Sequence, residues 1–143
     1  MSKDGLITND SGMQNFLGYT LDVGHGDGGA RCWLDVDHRF TNRHGVLHGG
    51  MISTMLDCAA GATASLTVDD TGLVPFLTIS MTTNYLSPVK SGRVTATGRV
   101  TGGGRSLVFI EAELRGEDGT LIATANGVYK RVPGGRPNKD GEK

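Results

Sequence analysis

The chain has 143 residues, 23 of them glycine, and a formal net charge of -1 from 14 basic and 15 acidic side chains. Glycine at roughly 16 per cent is about twice the ordinary share, but four prolines and no G-X-Y period exclude collagen-like and Pro/Gly-rich disordered classes. The balanced charge speaks against a dominant nucleic-acid or membrane-surface role, and a hydrophobic share of 37% at this length suits a single core.

Residues 1–14, opening MSKDGLITND, lack the apolar stretch of a secretory signal and read as a loosely held segment with at most a helical turn. The domain is expected over 15–132. Residues 133–143, PGGRPNKDGEK, have too little apolar area to bury and are expected as a disordered tail. Cys32 and Cys58 lack any paired spacing, which fits a reducing compartment and a cytoplasmic protein.

Inside the domain the hydrophobic period is mostly two. The run FLGYTLDV pairs through the turn GHGDGG with a strand in which Cys32, Leu34 and Val36 alternate with polar neighbours. One long segment then breaks the alternation. From Gly49 to about Leu66 the sequence GGMISTMLDCAAGATASL follows helical spacing and carries a single charge, Asp57. That charge and several Ser/Thr residues also exclude a membrane span.

Four alternating runs follow. Their expected apolar faces are Leu77, Ile79 and Met81; Val94, Ala96 and Val100; Val108, Ile110, Ala112 and Leu114; and Leu121, Ala123, Ala125 and Tyr129. Gly102, Gly103, Gly104 and the GEDGT segment supply hairpin turns between them. A mostly apolar helix among amphipathic strands must be wrapped by them, so the chain is α+β, with a curved antiparallel sheet around one central helix.

The segment Asn42 to Gly61, NRHGVLHGGMISTMLDCAAG, is the most informative for chemistry. Gly45, Gly49 and Gly50 let the backbone approach a ligand closely. A helix start at Gly49 aims unpaired N–H groups and the positive end of the dipole at whatever precedes it, a geometry that polarises a carbonyl and also serves an ordinary strand-to-helix turn. Asp57 is a carboxylate on an apolar helix, costly to bury unless it is paired or reaches water. It reads either as half of a structural ion pair or as a general base or nucleophile in a dry cleft. Gly49 and Asp57 are eight residues apart, roughly 12 Å along a helix at about 1.5 Å per residue. A reacting carbonyl needs donor and base within a few ångströms, so two antiparallel copies of the helix must share each site if Asp57 is catalytic.

Asn42, five residues, His48-Gly49-Gly50, six residues and Asp57 form a pattern that resembles the hotdog-fold acyl-CoA thioesterases of the phenylacetyl-CoA thioesterase type. The resemblance extends over about residues 16–131, and the strand order fits the hotdog fold. It implies an acyl-CoA substrate with an aryl or a short to medium-chain acyl group, no cofactor beyond the coenzyme A of the substrate, and a homodimer that commonly pairs into a tetramer. Asp57 would activate water or attack the thioester carbon, and the Gly49 N–H would hold the carbonyl oxygen. Asn42 would position carbonyl or water, with His48 keeping Asn42 and its loop in place. Thr78 falls where the family commonly has a hydroxyl that orients the water. Gly50, Tyr85, Pro88 and Lys90, and Gly103, Arg105 and Ser106 in the GGGRS turn, fall at substrate and coenzyme A positions.

Other readings were open at this level. His44 and His48 are four apart, but their Gly-rich context puts them on a loop with no further ligands, which argues against a metal. Cys58 on an apolar helix should have a raised pKa and be inert. A hydratase or dehydratase of the same fold and a non-catalytic acyl-CoA-binding domain are the rival functions. The HGG turn argues against the first and retention of Asp57 against the second.

Overall fold

The computed structural model describes residues 4–133, so the tail expected at its far end lies, from residue 134 on, outside the described residues. Seven strands form one antiparallel sheet in the order β1-β2-β3-β5-β6-β7-β4. In chain order the elements are β1 (Leu6–Ile7), α1 (Gly12–Leu17), β2 (Thr20–Asp22), β3 (Arg31–Val36), α2 (Gly49–Leu66), β4 (Phe76–Tyr85), β5 (Gly92–Gly103), β6 (Leu107–Gly116) and β7 (Leu121–Arg131). The expected α+β architecture is present. A curved sheet wraps α2, which packs against β2 through β7.

The core follows the binary pattern closely. Met55, Leu56, Ala59 and Ala64 of α2 are buried to completion against Val94, Ala96, Ile110, Leu114 and Ala123 of the sheet. Each large apolar side chain removed from water in this way contributes about 1.5–3 kcal/mol. The small residues along α2 matter as much, because alanines let the sheet approach the helix backbone closely.

Three parts of the sequence reading change. Residues 4–14 are held more firmly than expected: β1 pairs with β2, and Ile7 is buried. Ser11 caps α1 by accepting from the Gln14 N–H at 3.0 Å, and the buried Gln14 amide donates to the carbonyls of Ile7 at 2.7 Å and Tyr19 at 3.1 Å. Phe16 and Leu17, expected in a strand, therefore belong to α1, and β2 is shortened to three residues.

On β4 the apolar face is reversed. Leu77 is 61% and Ile79 57% exposed, while Thr78 turns toward α2. The cause is a bulge: Thr78 opposes Tyr129 and Ser80 opposes Val128, which leaves Ile79 unpaired. Met81 then returns to the inner side, opposite Gly127. Similar register shifts leave Val100 40% exposed at the far end of β5 and bring Ile122 rather than Leu121 fully into the core.

Candidate active site

The loop that leads into α2 is tied at several points. Asn42 exchanges backbone bonds with the 45–46 turn: its N–H donates to Val46 O at 2.8 Å and its carbonyl accepts from the Gly45 N–H at 3.0 Å. Its side-chain Oδ1 accepts from the His44 N–H at 2.9 Å and the Val46 N–H at 3.4 Å. The Leu47 N–H donates to Val89 O at 2.8 Å and so joins this loop to the segment between β4 and β5. His48 is the N-cap of α2, and its Nδ1 accepts from the Gly50 N–H at 2.8 Å. His48 thus orders the helix start, but the expected grip on Asn42 is not made; the Asn42 oxygen is committed to its own turn.

The N–H of Gly49 donates to no acceptor among the described residues and stands at the positive end of an 18-residue helix. The Tyr85 ring lies over it, 3.3 Å from where a Cβ at this position would sit, and the Tyr85 hydroxyl shares a 2.5 Å hydrogen bond with Ser53 one turn along α2. Gly49, Leu47, Ile52, Tyr85, Leu86 and Pro88 line a cavity of about 340 Å³ at this helix start. Of the expected substrate contacts, Tyr85 and Pro88 are gathered here, whereas Lys90 is exposed and outside the lining.

Two turns further along the helix, Asp57 is half-buried and faces β4 and β7. The Thr78 hydroxyl donates to its Oδ1 at 2.8 Å, and the Tyr129 hydroxyl donates to the same oxygen at 2.9 Å. The bulge on β4 is what aims Thr78 at this carboxylate. Burial, followed by the negative charge of Asp57 and the hydrogen bond to it, pushes the Tyr129 hydroxyl above its ordinary pKa, so it remains a donor. Tyr129 was assigned only to the apolar face from its alternation. The available signal was a hydroxyl-bearing aromatic closing an inward face otherwise made of Ala123, Ala125 and Gly127.

A second cavity, about 640 Å³, opens beyond the C-terminal end of α2 and is lined by Asp69, Thr71, Pro75, Arg105, Ser106 and Arg131 among others. Arg105 and Ser106 are therefore together as expected. Gly103 is not part of this lining; it occupies a left-handed backbone position, φ 106, that the β5–β6 turn requires. Arg131 was not singled out from the sequence, and it adds a second guanidinium to this cavity.

The Cys58 thiol is not raised as expected. The neighbouring Cys32 thiol foremost, and the Tyr19 hydroxyl, favour the Cys58 thiolate and hold Cys58 below its ordinary value despite burial, while the Cys32 thiol is pushed well above its own by the same neighbour and by burial. Gly61 faces Tyr129: a Cβ at this position would lie 4.0 Å from the ring. Among the described residues no helix is long and apolar enough to cross a membrane.

Known proteins share this fold and much of this sequence. The family model described as Thioesterase superfamily matches residues 44–123. Human acyl-coenzyme A thioesterase 13 is 30% identical over 119 residues, covering 82% of this chain and 83% of its own. A thioesterase crystal structure from Pseudomonas aeruginosa superposes with a TM-score of 0.73 at 28% identity, covering 85% of this chain and 86% of that one. The PaaI protein of the Escherichia coli phenylacetic acid degradation operon superposes equally well, TM-score 0.73 over 88% of each chain, at 21% identity. That last likeness speaks for the hotdog fold and not for a substrate.

Proposed function

The chain belongs to the thioesterase superfamily and is a thioester hydrolase, and from that premise we propose that it cleaves acyl-CoA at sites shared between two copies. The observation that carries this reading is the half-buried Asp57 carboxylate, set eight residues from the free Gly49 N–H on one helix. Roughly 12 Å of helix separates the two groups, too far for both to serve one carbonyl from a single chain. An antiparallel partner helix brings the Gly49 of one copy to the Asp57 of the other.

The edge strand supports the pairing. β4 lies at one end of the sheet, ten residues long, with Leu77 and Ile79 exposed, and such an edge is a template for a second strand. A two-fold axis across β4 makes the interface self-complementary and yields two equivalent sites.

In this reading the thioester carbonyl oxygen accepts from Gly49 N–H at the helix start, where the dipole stabilises the developing oxyanion. Asp57 takes the proton from an attacking water, or attacks the thioester carbon itself, and Thr78 and Tyr129 hold it in place. Collapse of the tetrahedral intermediate expels the coenzyme A thiolate, leaving the free acid when water attacked, or an acyl–Asp57 anhydride that a water then hydrolyses when Asp57 did. The name of the human relative supports acyl-CoA as the substrate class. The cavity with Arg105, Ser106 and Arg131 offers cations and a hydroxyl suited to coenzyme A phosphates. The acyl group is aryl or short to medium-chain, and the organic step requires no cofactor.

Asp57→Asn is expected to lower kcat for acyl-CoA at least 10³-fold, read by free-thiol release over a panel of aryl and aliphatic thioesters. Near-native turnover by this variant would sink the reading. Co-refolding Asp57→Asn chains with Gly49→Val chains should restore about a quarter of the wild-type sites, because half the dimers then hold one intact site. No recovery would remove the shared site.

A further inference from the structure

We infer that Tyr129 is a positioning residue for Asp57, and that together with Thr78 it divides the carboxylate into a held oxygen, Oδ1, and a reacting oxygen, Oδ2. The inference rests on the reading of Asp57 as the acting group. Its basis is the direction of two hydrogen bonds, from Thr78 at 2.8 Å and Tyr129 at 2.9 Å, which converge on Oδ1. A carboxylate oxygen offers about two lone-pair sites. Oδ1 is therefore filled, and water or thioester carbon meets Oδ2.

The two donors come from different strands that sit in register, since Thr78 on β4 opposes Tyr129 on β7. An aspartate on a helix turns freely about its side-chain bonds unless it is held. Donors approaching one oxygen from two strands remove that freedom, and the second oxygen then has a fixed direction relative to α2. Such pre-orientation matters because an ångström of misplacement at a reacting atom costs a large factor in rate.

Packing does not account for the Tyr129 hydroxyl. The residue is 1% exposed, and a phenylalanine ring would fill the same space. The hydroxyl has Asp57 as its hydrogen-bond acceptor, with the Met81 sulfur a distant neighbour at 3.8 Å. Gly127 leaves room for both β4 and this ring: a Cβ there would come within 2.8 Å of the Ser80 carbonyl, 3.0 Å of the ring and 3.3 Å of the hydroxyl. A larger residue at 127 would push the hydroxyl off its carboxylate. Burial keeps the phenol protonated, so it donates at every pH at which the enzyme works.

The test is Tyr129→Phe, which deletes one oxygen and keeps the ring. Hydrogen bonds to charged groups lead us to expect kcat per folded molecule to fall roughly 10- to 100-fold with KM within about twofold of wild type. The double variant Tyr129→Phe/Thr78→Val, which frees Oδ1 entirely, should fall further than either single change. The folded fraction is taken from thermal melts, so that lost activity and lost fold are separated. A kcat within twofold of wild type in Tyr129→Phe, while Asp57→Asn is inactive, overturns this inference and leaves the function standing. A rise in KM at constant kcat overturns it as well, since it would make Tyr129 a binding residue. Full turnover by Asp57→Asn overturns both.

Discussion

The first half of α2, Gly49 to Asp57, keeps several polar groups partly open, whereas Ala59, Thr63 and Ala64 of the second half are sealed inside the sheet. Gly49, Ser53, Thr54 and Asp57 are half-buried and Gly50 is exposed; Ala59, Thr63 and Ala64 have no exposed surface at all. The two halves also use hydroxyls differently. At the start, Ser53 holds Tyr85 over the helix end. In the second half Thr63 accepts from the Ala30 N–H at 3.0 Å and donates to Ala59 O at 2.7 Å, which seals a backbone group inside the fold. One helix thus serves as anchor at one end and, in the proposed function, as the carbonyl-binding site at the other.

Substitutions should separate the two roles. The largest stability effect is expected at Gly98, where β5 crosses α2: an added Cβ would lie 2.1 Å from Thr63 Oγ1 and 3.0 Å from Ala59 O. Gly98→Ala should destabilise by about 3 kcal/mol, through overpacking against helix backbone. The corresponding fall in Tm is on the order of 10 °C, and the folded fraction should turn over at its normal rate.

Thr63→Val comes next. It leaves the buried Ala30 N–H without its acceptor, at a cost of about 2 kcal/mol by chemical denaturation, again with kcat unchanged. If either variant lost kcat per folded molecule, the anchor and the site would be less separable than this division holds.

His48→Ala should do the opposite. It removes the cap on Gly50, which costs about 1 kcal/mol of stability. With the helix start loosened, kcat/KM is expected to drop roughly tenfold. Equal losses in stability and none in turnover would assign His48 to structure alone.

Much of this was legible in the sequence. The bounds of α2 agree with its helical period, and the strands of the sheet announce themselves by alternation, because burial on one face imposes a period of two. The N-x5-HGG-x6-D spacing located the helix start and the carboxylate. The order of residues 4–14 was not read from composition: it rests on the Ser11 cap and on Gln14, whose Oε1 accepts from the Asp10 N–H at 3.0 Å and whose amide donates to the carbonyls of Ile7 and Tyr19.

What the sequence by itself determined is most of the inventory and its order: six of the seven strands, one apolar helix, a glycine turn and a lone charge at a set distance. Those depend on local periods and backbone chemistry, which a chain carries wherever it goes. Only the tertiary structure decided which oxygen of Asp57 is held and by whom. Thr78 lies 21 residues from Asp57 and Tyr129 lies 72 away, and both reach it through strand register and a bulge at Ile79. A one-residue slip in that register turns a side chain from core to solvent, so the same sequence pattern is compatible with Thr78 outside and Ile79 within. The choice is made by how β4 sits on β7 and α2, which no alternation within β4 can reveal.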